Sequence, residues 1–297
     1  MSYVLTANTP PPVVLHIDSR KGQQIQTGFT TNFTYTMKEP LLVPDHMNLL
    51  ISLHTATIPY SFYNVGDHNN LIKFVVDGDV SDLTLENGNY SANSLLNLMK
   101  THLQARGDID DFHISYSRET LKFKMGFEGS TLVLKLSGPT HGDVAGSTAL
   151  DLLGFPNGIE IIPKSPTTTI TSDNAVDLND SIHGLYVRQN LSTKGTLDTE
   201  EGTFTNILAR IPITTNAGGI IFYSPSSNQH ETMISVPMIQ TIGIRLTDDK
   251  HRSIDLNGLH FQLSLKISYL HKEVLRTKPL RRPIKIKEEK NDKKNKR

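Results

Sequence analysis

Apolar and polar residues alternate one for one along much of this chain, which is the pattern of strands with one buried and one wet face. Phe33, Tyr35 and Met37 face one way, Thr34 and Thr36 the other, and Pro40 and Pro44 stop the run. Leu49, Ile51 and Leu53 continue the theme up to Pro59, and residues 71–76 form a β-rich stretch closed by Asp77-Gly78. The clearest run comes late. Leu259, Phe261, Leu263, Leu265, Ile267 and Tyr269 alternate with His260, Gln262, Ser264, Lys266 and Ser268.

One stretch departs from period two. Leu95, Met99 and Leu103 recur at helical spacing with Leu96 alongside, Ser91 is placed to cap, Tyr90 to staple onto Leu95, and Gly107 to stop the helix. A hairpin is expected next: Phe112, Ile114 and Tyr116 and then Leu121, Phe123 and Met125 flank Ser117-Arg118-Glu119-Thr120, with Lys122 and Lys124 on the wet face. Residues 131–136 read as a strand, 149–154 as a short helical turn, and 163–179 as a Thr- and Asp-rich loop. Further strands are expected at 184–188, 204–211, 219–223 and 234–246.

About ten strands and one firm helix exclude a doubly wound fold and predict a mainly all-β protein, an antiparallel β-sandwich of jelly-roll type with a small helix-plus-hairpin insertion. No repeat of fixed period occurs, which counts against propellers and solenoids. The expected division is an extended N-terminal arm over 1–27, a jelly-roll domain over 28–271 with an inserted subdomain around 80–160, and a basic flexible tail over 272–297. Pro10-Pro11-Pro12 favours extended backbone in the arm, although Val13-Val14-Leu15 could pair as a strand.

Composition sharpens this in three ways. With 297 residues and 37% hydrophobic side chains, one large β domain has enough to build its core. There is no cysteine, so disulfides, thiolate zinc sites and cysteine nucleophiles are excluded and a reducing compartment fits. The first residues carry prolines where a signal peptide needs an apolar run, and no apolar segment approaches a membrane span, so neither secretion by that route nor a membrane span is expected.

The formal net charge of zero conceals an asymmetry: residues 272–297 hold twelve Lys/Arg against four Asp/Glu, a surplus of eight, which leaves the rest of the chain with a deficit of eight. Within the tail Lys278, Arg281, Arg282, Lys285, Lys287, Lys290, Lys293, Lys294, Lys296 and Arg297 are the candidate contacts to nucleic acid or to an acidic protein surface. The competing account is a solubilising tail without a partner; the interspersed Val274, Leu275, Leu280, Ile284 and Ile286 favour docking.

Chemistry is harder to find. Glycine-rich nucleotide loops, zinc-protease and nucleophile-elbow motifs and the EF-hand loop do not occur, so no catalytic, cofactor-binding or metal-binding residue is nominated, and the protein is not expected to be an enzyme. His54 with His68, and His102 with His113, lack established metal spacing and read as surface or packing residues. Asp77, Asp79 and Asp82 suggest a calcium loop only weakly, since no bidentate Glu follows and a turn wants Asp and Gly anyway. The Asn32, Asn89 and Asn190 sequons read as structural.

Several stretches, in order, resemble the penton and minor capsid proteins of virophages, Polinton-like viruses and related large DNA viruses. They are Ile17-Asp18-Ser19-Arg20, the strand from Phe29, and Ile58-Pro59-Tyr60-Ser61-Phe62-Tyr63-Asn64. Glu86-Asn87-Gly88-Asn89-Tyr90-Ser91, Asp151-Leu152-Leu153-Gly154-Phe155, and Thr247-Asp248-Asp249 with Ile254-Asp255-Leu256-Asn257-Gly258-Leu259 follow, while His260-Phe261-Gln262 is more polar than the family pattern.

The resemblance implies a single jelly roll acting as a structural capsid protein, a penton subunit at the fivefold vertex of an icosahedral virion assembled in the host cytoplasm. It would form a homo-oligomer, a pentamer, would contact the major capsid protein, and would turn its tail toward genome DNA or internal capsid proteins, without a cofactor. The alternatives are a minor (cement) capsid protein beneath or between major capsid trimers and, from another class, a glycan-binding jelly-roll module. A hydrolase on a β scaffold is the remaining rival.

Overall fold

The computed structural model describes residues 9–76, 79–105, 112–127, 134–137, 149–155, 159–161, 168–178, 182–192, 196–198, 202–225 and 230–272. The chain opens with four strands, β1 (Val13–Asp18), β2 (Gln23–Gln24), β3 (Asn32–Leu42) and β4 (Met47–Pro59). A lobe follows: β5 (Leu71–Val76), β6 (Asp79–Thr84), helix α1 (Ala92–Gln104), β7 (Phe112–Ser117), β8 (Lys122–Phe127), β9 (Leu134–Ser137), the short helix α2 (Leu150–Leu153), β10 (Ile159–Ile161) and β11 (Thr168–Thr171). The chain then returns through β12 (Gly184–Gln189), β13 (Thr196–Asp198), β14 (Thr203–Thr205), β15 (Ile207–Pro212), β16 (Ile220–Tyr223), β17 (Thr232–Ile234), β18 (Met238–Thr247) and β19 (Gln262–His271).

The principal body strands pair as one long hairpin rolled on itself. The outermost in sequence, β1 and β19, pair with each other; inside them β3 pairs β18, then β4 pairs β16 and β17, and innermost β12 pairs β15, all antiparallel. Cross-pairs β19–β4 and β12–β18 close two sheets, ordered β1-β19-β4-β16 and β15-β12-β18-β3-β2. This is jelly-roll topology, and all its pairings are antiparallel.

Both sheets bury one face in a single core. Sheet one contributes Ile17, Leu49, Ile51, Leu53, Ile58, Leu263, Leu265 and Ile267; sheet two contributes Phe33, Leu185, Val187, Ile242, Ile244 and Leu246. Alternation breaks phase once in β4, where Leu53 and Ala56 both point inward, and there the β4–β19 ladder carries a bulge. The extra residue resets the side-chain phase. A second bulge, between Ile239 and Thr241, does the same for β18.

Several expectations are corrected. Residues 13–24, read as part of an arm in which Val13-Val14-Leu15 could pair as a strand, are built into both sheets: β1 pairs β19 and β2 pairs β3. The expected strand over 234–246 is two strands in different sheets, broken at Pro237, which cannot donate to a ladder. The expected strand over 204–211 divides at Asn206. Within the expected loop 163–179, Thr168–Thr171 forms β11 against β8, in line with the β propensity of threonine.

The lobe has its own core. Leu95, Met99 and Leu103 from α1 pack with Phe74, Phe123, Leu150 and Phe155, and Tyr90 leans on this cluster as a staple. Ser91 caps α1 through a reciprocal pair of bonds with Ser94; the expected stop, Gly107, lies outside the described residues. The β7–β8 hairpin forms with Leu121 in its turn at φ 56°, exposed, rather than in the strand. Gly154, at φ +76°, lets the chain turn tightly: a Cβ there would stand 2.3 Å from the Asn174 carbonyl oxygen.

Candidate assembly surfaces

The body has two unlike ends, set by strand direction. At one end β1 begins, β19 finishes and β3 turns into β4. There Thr9 Oγ1 lies 3.2 Å from His271 Nε2, the His271 ring tilts against His46, and Lys272 is held by the His46 and Asp45 carbonyls, its Nζ donating to Asp45 at 2.6 Å. Thr9 and Lys272, the first and last described residues, therefore lie beside the same turn. The candidate contact residues of the tail, Lys278, Arg281, Arg282, Lys285, Lys287, Lys290, Lys293, Lys294, Lys296 and Arg297, lie outside the described residues. What is described is where the tail departs.

The lobe sits at the other end, roughly 40 Å away by the length of β4 at about 3.3 Å per residue. The chain leaves the body after Phe62 and comes back at Ile182, and both residues line one hollow of about 310 Å³ between body and lobe. Asparagines fasten the exit segment to the lobe. Asn64 donates to the Tyr90 carbonyl and accepts the Tyr90 N–H at 2.9 Å, Asn89 accepts the Asn64 N–H, and Asn69 donates to the Asn64 carbonyl. Tyr60 stacks on Phe62 at 4.2 Å, and burial pushes its hydroxyl above the ordinary tyrosine range.

The loop after β18 is tied down on three sides. The Thr31 hydroxyl donates to the Ile254 carbonyl at 2.6 Å, the Ser61 hydroxyl to the Leu256 carbonyl at 2.7 Å, and the buried Asp248 carboxylate accepts both the Arg252 N–H and its guanidinium. Asp248 thus holds a loop together. The adjoining Asn257 and Gly258 both take positive φ, as the turn into β19 requires.

A further cluster lies on the outer face of sheet two, where Arg188 points away from the core formed by Leu185 and Val187, yet is buried. The hairpin of β13 and β14 covers it. Arg188 donates to Thr247 Oγ1 and Asn206 Oδ1 at 3.1 Å each, faces Asp198 at 3.5 Å and touches His251, whose Nε2 is 3.2 Å from Asp198. Taking such a cation out of water is costly, and removing one partner of the pair would strand the other, so Arg188 and Asp198 tie the hairpin to the sheet. The separation of these residues in sequence hid the cluster.

His102 stacks on Phe74 with ring centroids 5.7 Å apart and bonds Ser81, whereas His113 stands exposed on β7 and His54 exposed at the β4 bulge; His68 lines the hollow between body and lobe. Asp79 pairs with Val76 and Asp82 with Lys73 in the β5–β6 ladder, and Asp77 lies outside the described residues. Asn190 accepts the Gly243 N–H at 2.8 Å. No group of three metal-ligating side chains and no helix long and apolar enough to cross a membrane occurs among the described residues.

These features define the class of the protein: a single-chain jelly roll with a lobe inserted between its third and fourth principal strands. No family model matches the chain. No curated protein matches it either. Among solved structures, the mavirus penton protein superposes with a TM-score of 0.49 at 12% identity, covering 88% of this chain and 100% of that one. VP17, a capsid protein of bacteriophage P23-77, gives a TM-score of 0.19 at 7% identity, covering 89% of this chain and 100% of that one.

Proposed function

We propose that the protein is a structural capsid subunit, a penton that closes the fivefold vertex of an icosahedral shell with its lobe turned outward and its tail inward. The observation that carries this is the polarity of the body: a rigid jelly roll with a lobe at one end and, at the other, the departure point of a tail with eight surplus positive charges. A tail of that charge suits a packaged genome or an acidic internal protein, because each phosphate neutralised releases counterions. The stretches that resemble penton and minor capsid proteins fall on structural joints, Ile58-Pro59-Tyr60 at the end of β4 and Thr247-Asp248-Asp249 with the loop into β19. Such residues hold a scaffold. The role is assembly rather than catalysis, and the partners are further copies of the chain and the major capsid protein.

The test is the mass of purified protein by light scattering over a concentration series, for the full chain and for a chain ending at His271. Five times the chain mass is the expected result, with DNA binding that weakens steeply with salt and is lost on truncation. A strict monomer at every concentration removes the self-assembling vertex and favours the cement role; equal DNA binding by both chains removes the tail assignment.

A further inference from the structure

A ring of identical subunits needs two different surfaces on each one, since its contacts run head to tail. The two outer faces of this sandwich carry such a pair. In the β13–β14 hairpin, Asp198 turns toward sheet two and Thr205 is buried, so the alternating positions turn away. Those positions are Leu197 and Phe204, direct cross-strand partners, 68% and 56% exposed. The hairpin they ride on is fixed to the sheet through Asp198 and Arg188, so they form a rigid apolar knob.

The opposite outer face belongs to sheet one. Ile221 of β16 enters the core, which sends Ile220 and Phe222 outward at 64% exposure each, beside Leu259 at 50%. Ile220 and Leu259 line an open hollow of about 400 Å³ floored by Thr57 and Pro59 of β4 and rimmed by Arg20 and His260. Clefts from about 300 Å³ upward accept a small molecule, so this one has room for the ends of two side chains. Exposed apolar clusters of this kind are costly to keep on a lone chain.

We propose that the Leu197–Phe204 knob of one copy seats in the hollow lined by Ile220 and Leu259 of the next, against the exposed Phe222 on the same face, and that this contact repeats to close the ring. The occupant is a second copy because knob and hollow lie on opposite faces of one rigid sandwich, where a chain cannot join its own. A twofold pair would set protrusion against protrusion, whereas head-to-tail contact covers both patches at once. The inference rests on the vertex reading above.

Two charged variants test it, Leu197→Asp with Phe204→Asp on the knob and Ile220→Asp with Phe222→Asp on the hollow. All four side chains are exposed, so unchanged thermal melts are expected and serve as the folding control. Each variant should lose ring formation, with association weakened at least about 30-fold, the size expected on losing an interface anchor. The chain has no cysteine of its own, which allows a direct trap: Phe204→Cys and Ile220→Cys, made in separate chains and mixed under mild oxidation, should cross-link to each other in preference to themselves. If the wild type forms rings and both charged variants still do, the contact lies elsewhere and the vertex reading stands. Preferential self-linking of either cysteine chain overturns head-to-tail contact through these patches. A wild type that never assembles takes the vertex reading down together with this one.

Discussion

The sandwich body and the inserted lobe build their cores in opposite ways. The body core joins residues from the two ends of the chain: Phe33 packs edge-on against Phe261 at 5.8 Å, and β1 lies in register with β19 some 250 residues later. Nearly all its ladders are non-local, so the body cannot close until the last strand is in place. The lobe gathers Phe74, Leu95, Met99, Phe123 and Phe155 from one continuous stretch around a capped helix, and among the described residues nothing from the body's sheets belongs to its core. Proteins dominated by long-range pairing fold slowly, while local units open and close on their own. The body is therefore all-or-none, and the lobe is a module carried on it.

The largest effect should separate the two. Phe33→Ala removes a fully buried ring from the body core and should cost about 3–5 kcal/mol. It should lower protection from hydrogen exchange in β3, β4, β18 and β19 together. Leu95→Ala, equally buried, should cost about 2–5 kcal/mol within the lobe. Exchange should then rise in α1, β5 and β8 while the body strands keep wild-type protection. If Leu95→Ala loosens β19 as much as α1, the two cores form one cooperative unit and the comparison fails.

A smaller change sharpens the autonomy of the lobe. Ser91→Ala deletes the hydroxyl that accepts the Ser94 N–H at 3.2 Å, and keeps the reciprocal bond in which the backbone N–H of residue 91 donates to Ser94 Oγ at 2.9 Å. Loss of an N-cap costs about 0.5–2 kcal/mol. The expected outcome is faster exchange in the first turn of α1 with an unchanged melting transition for the body.

Much of this was legible in the sequence, unevenly and for physical reasons. Strands buried on one face announced themselves through alternation, as β3 and β19 did, and α1 through the spacing of Leu95, Met99 and Leu103. The phase slips at Leu53–Ala56 and Ile239–Ile242 were also present, yet a run of apolar residues hides the bulge that explains them. Strands held by neighbours rather than by pattern are harder to read: β11 is mostly threonine and reads as loop, and β1 reads as part of an arm with only Val13-Val14-Leu15 open to pairing, because its partner lies at the far end of the chain. Topology has no local signal at all. The site was least legible, because Arg188, Asp198 and His251 meet only once the hairpin folds over sheet two, and the outward Leu197 and Phe204 look in sequence like ordinary strand residues.

The smallest expected effect lies on the β1–β19 seam, where the sheet holds the start of the chain. Asp18 accepts from the Arg20 side chain, from the Arg20 N–H at 3.0 Å and from Gln262 Nε2 of β19 at 3.0 Å. Chiefly through the Arg20 side chain, these bonds hold its carboxyl well below the usual carboxylate range, against a modest opposing effect of burial. A carboxyl whose folded pKa is depressed adds stability above its unfolded pKa, and that stability drains away as pH falls toward the folded value. Because Arg20 is mostly exposed, although Asp18 is half-buried, the pair's worth is limited to less than about 1 kcal/mol. Asp18→Asn should therefore lower the melting temperature slightly at neutral pH, and the gap to wild type should shrink as pH drops below about 3.8. A gap that stays constant through the acid range would mean that the carboxylate charge is not what ties β1 to β19. A loss as large as that of Phe33→Ala would move the weight of the body from its core to this seam.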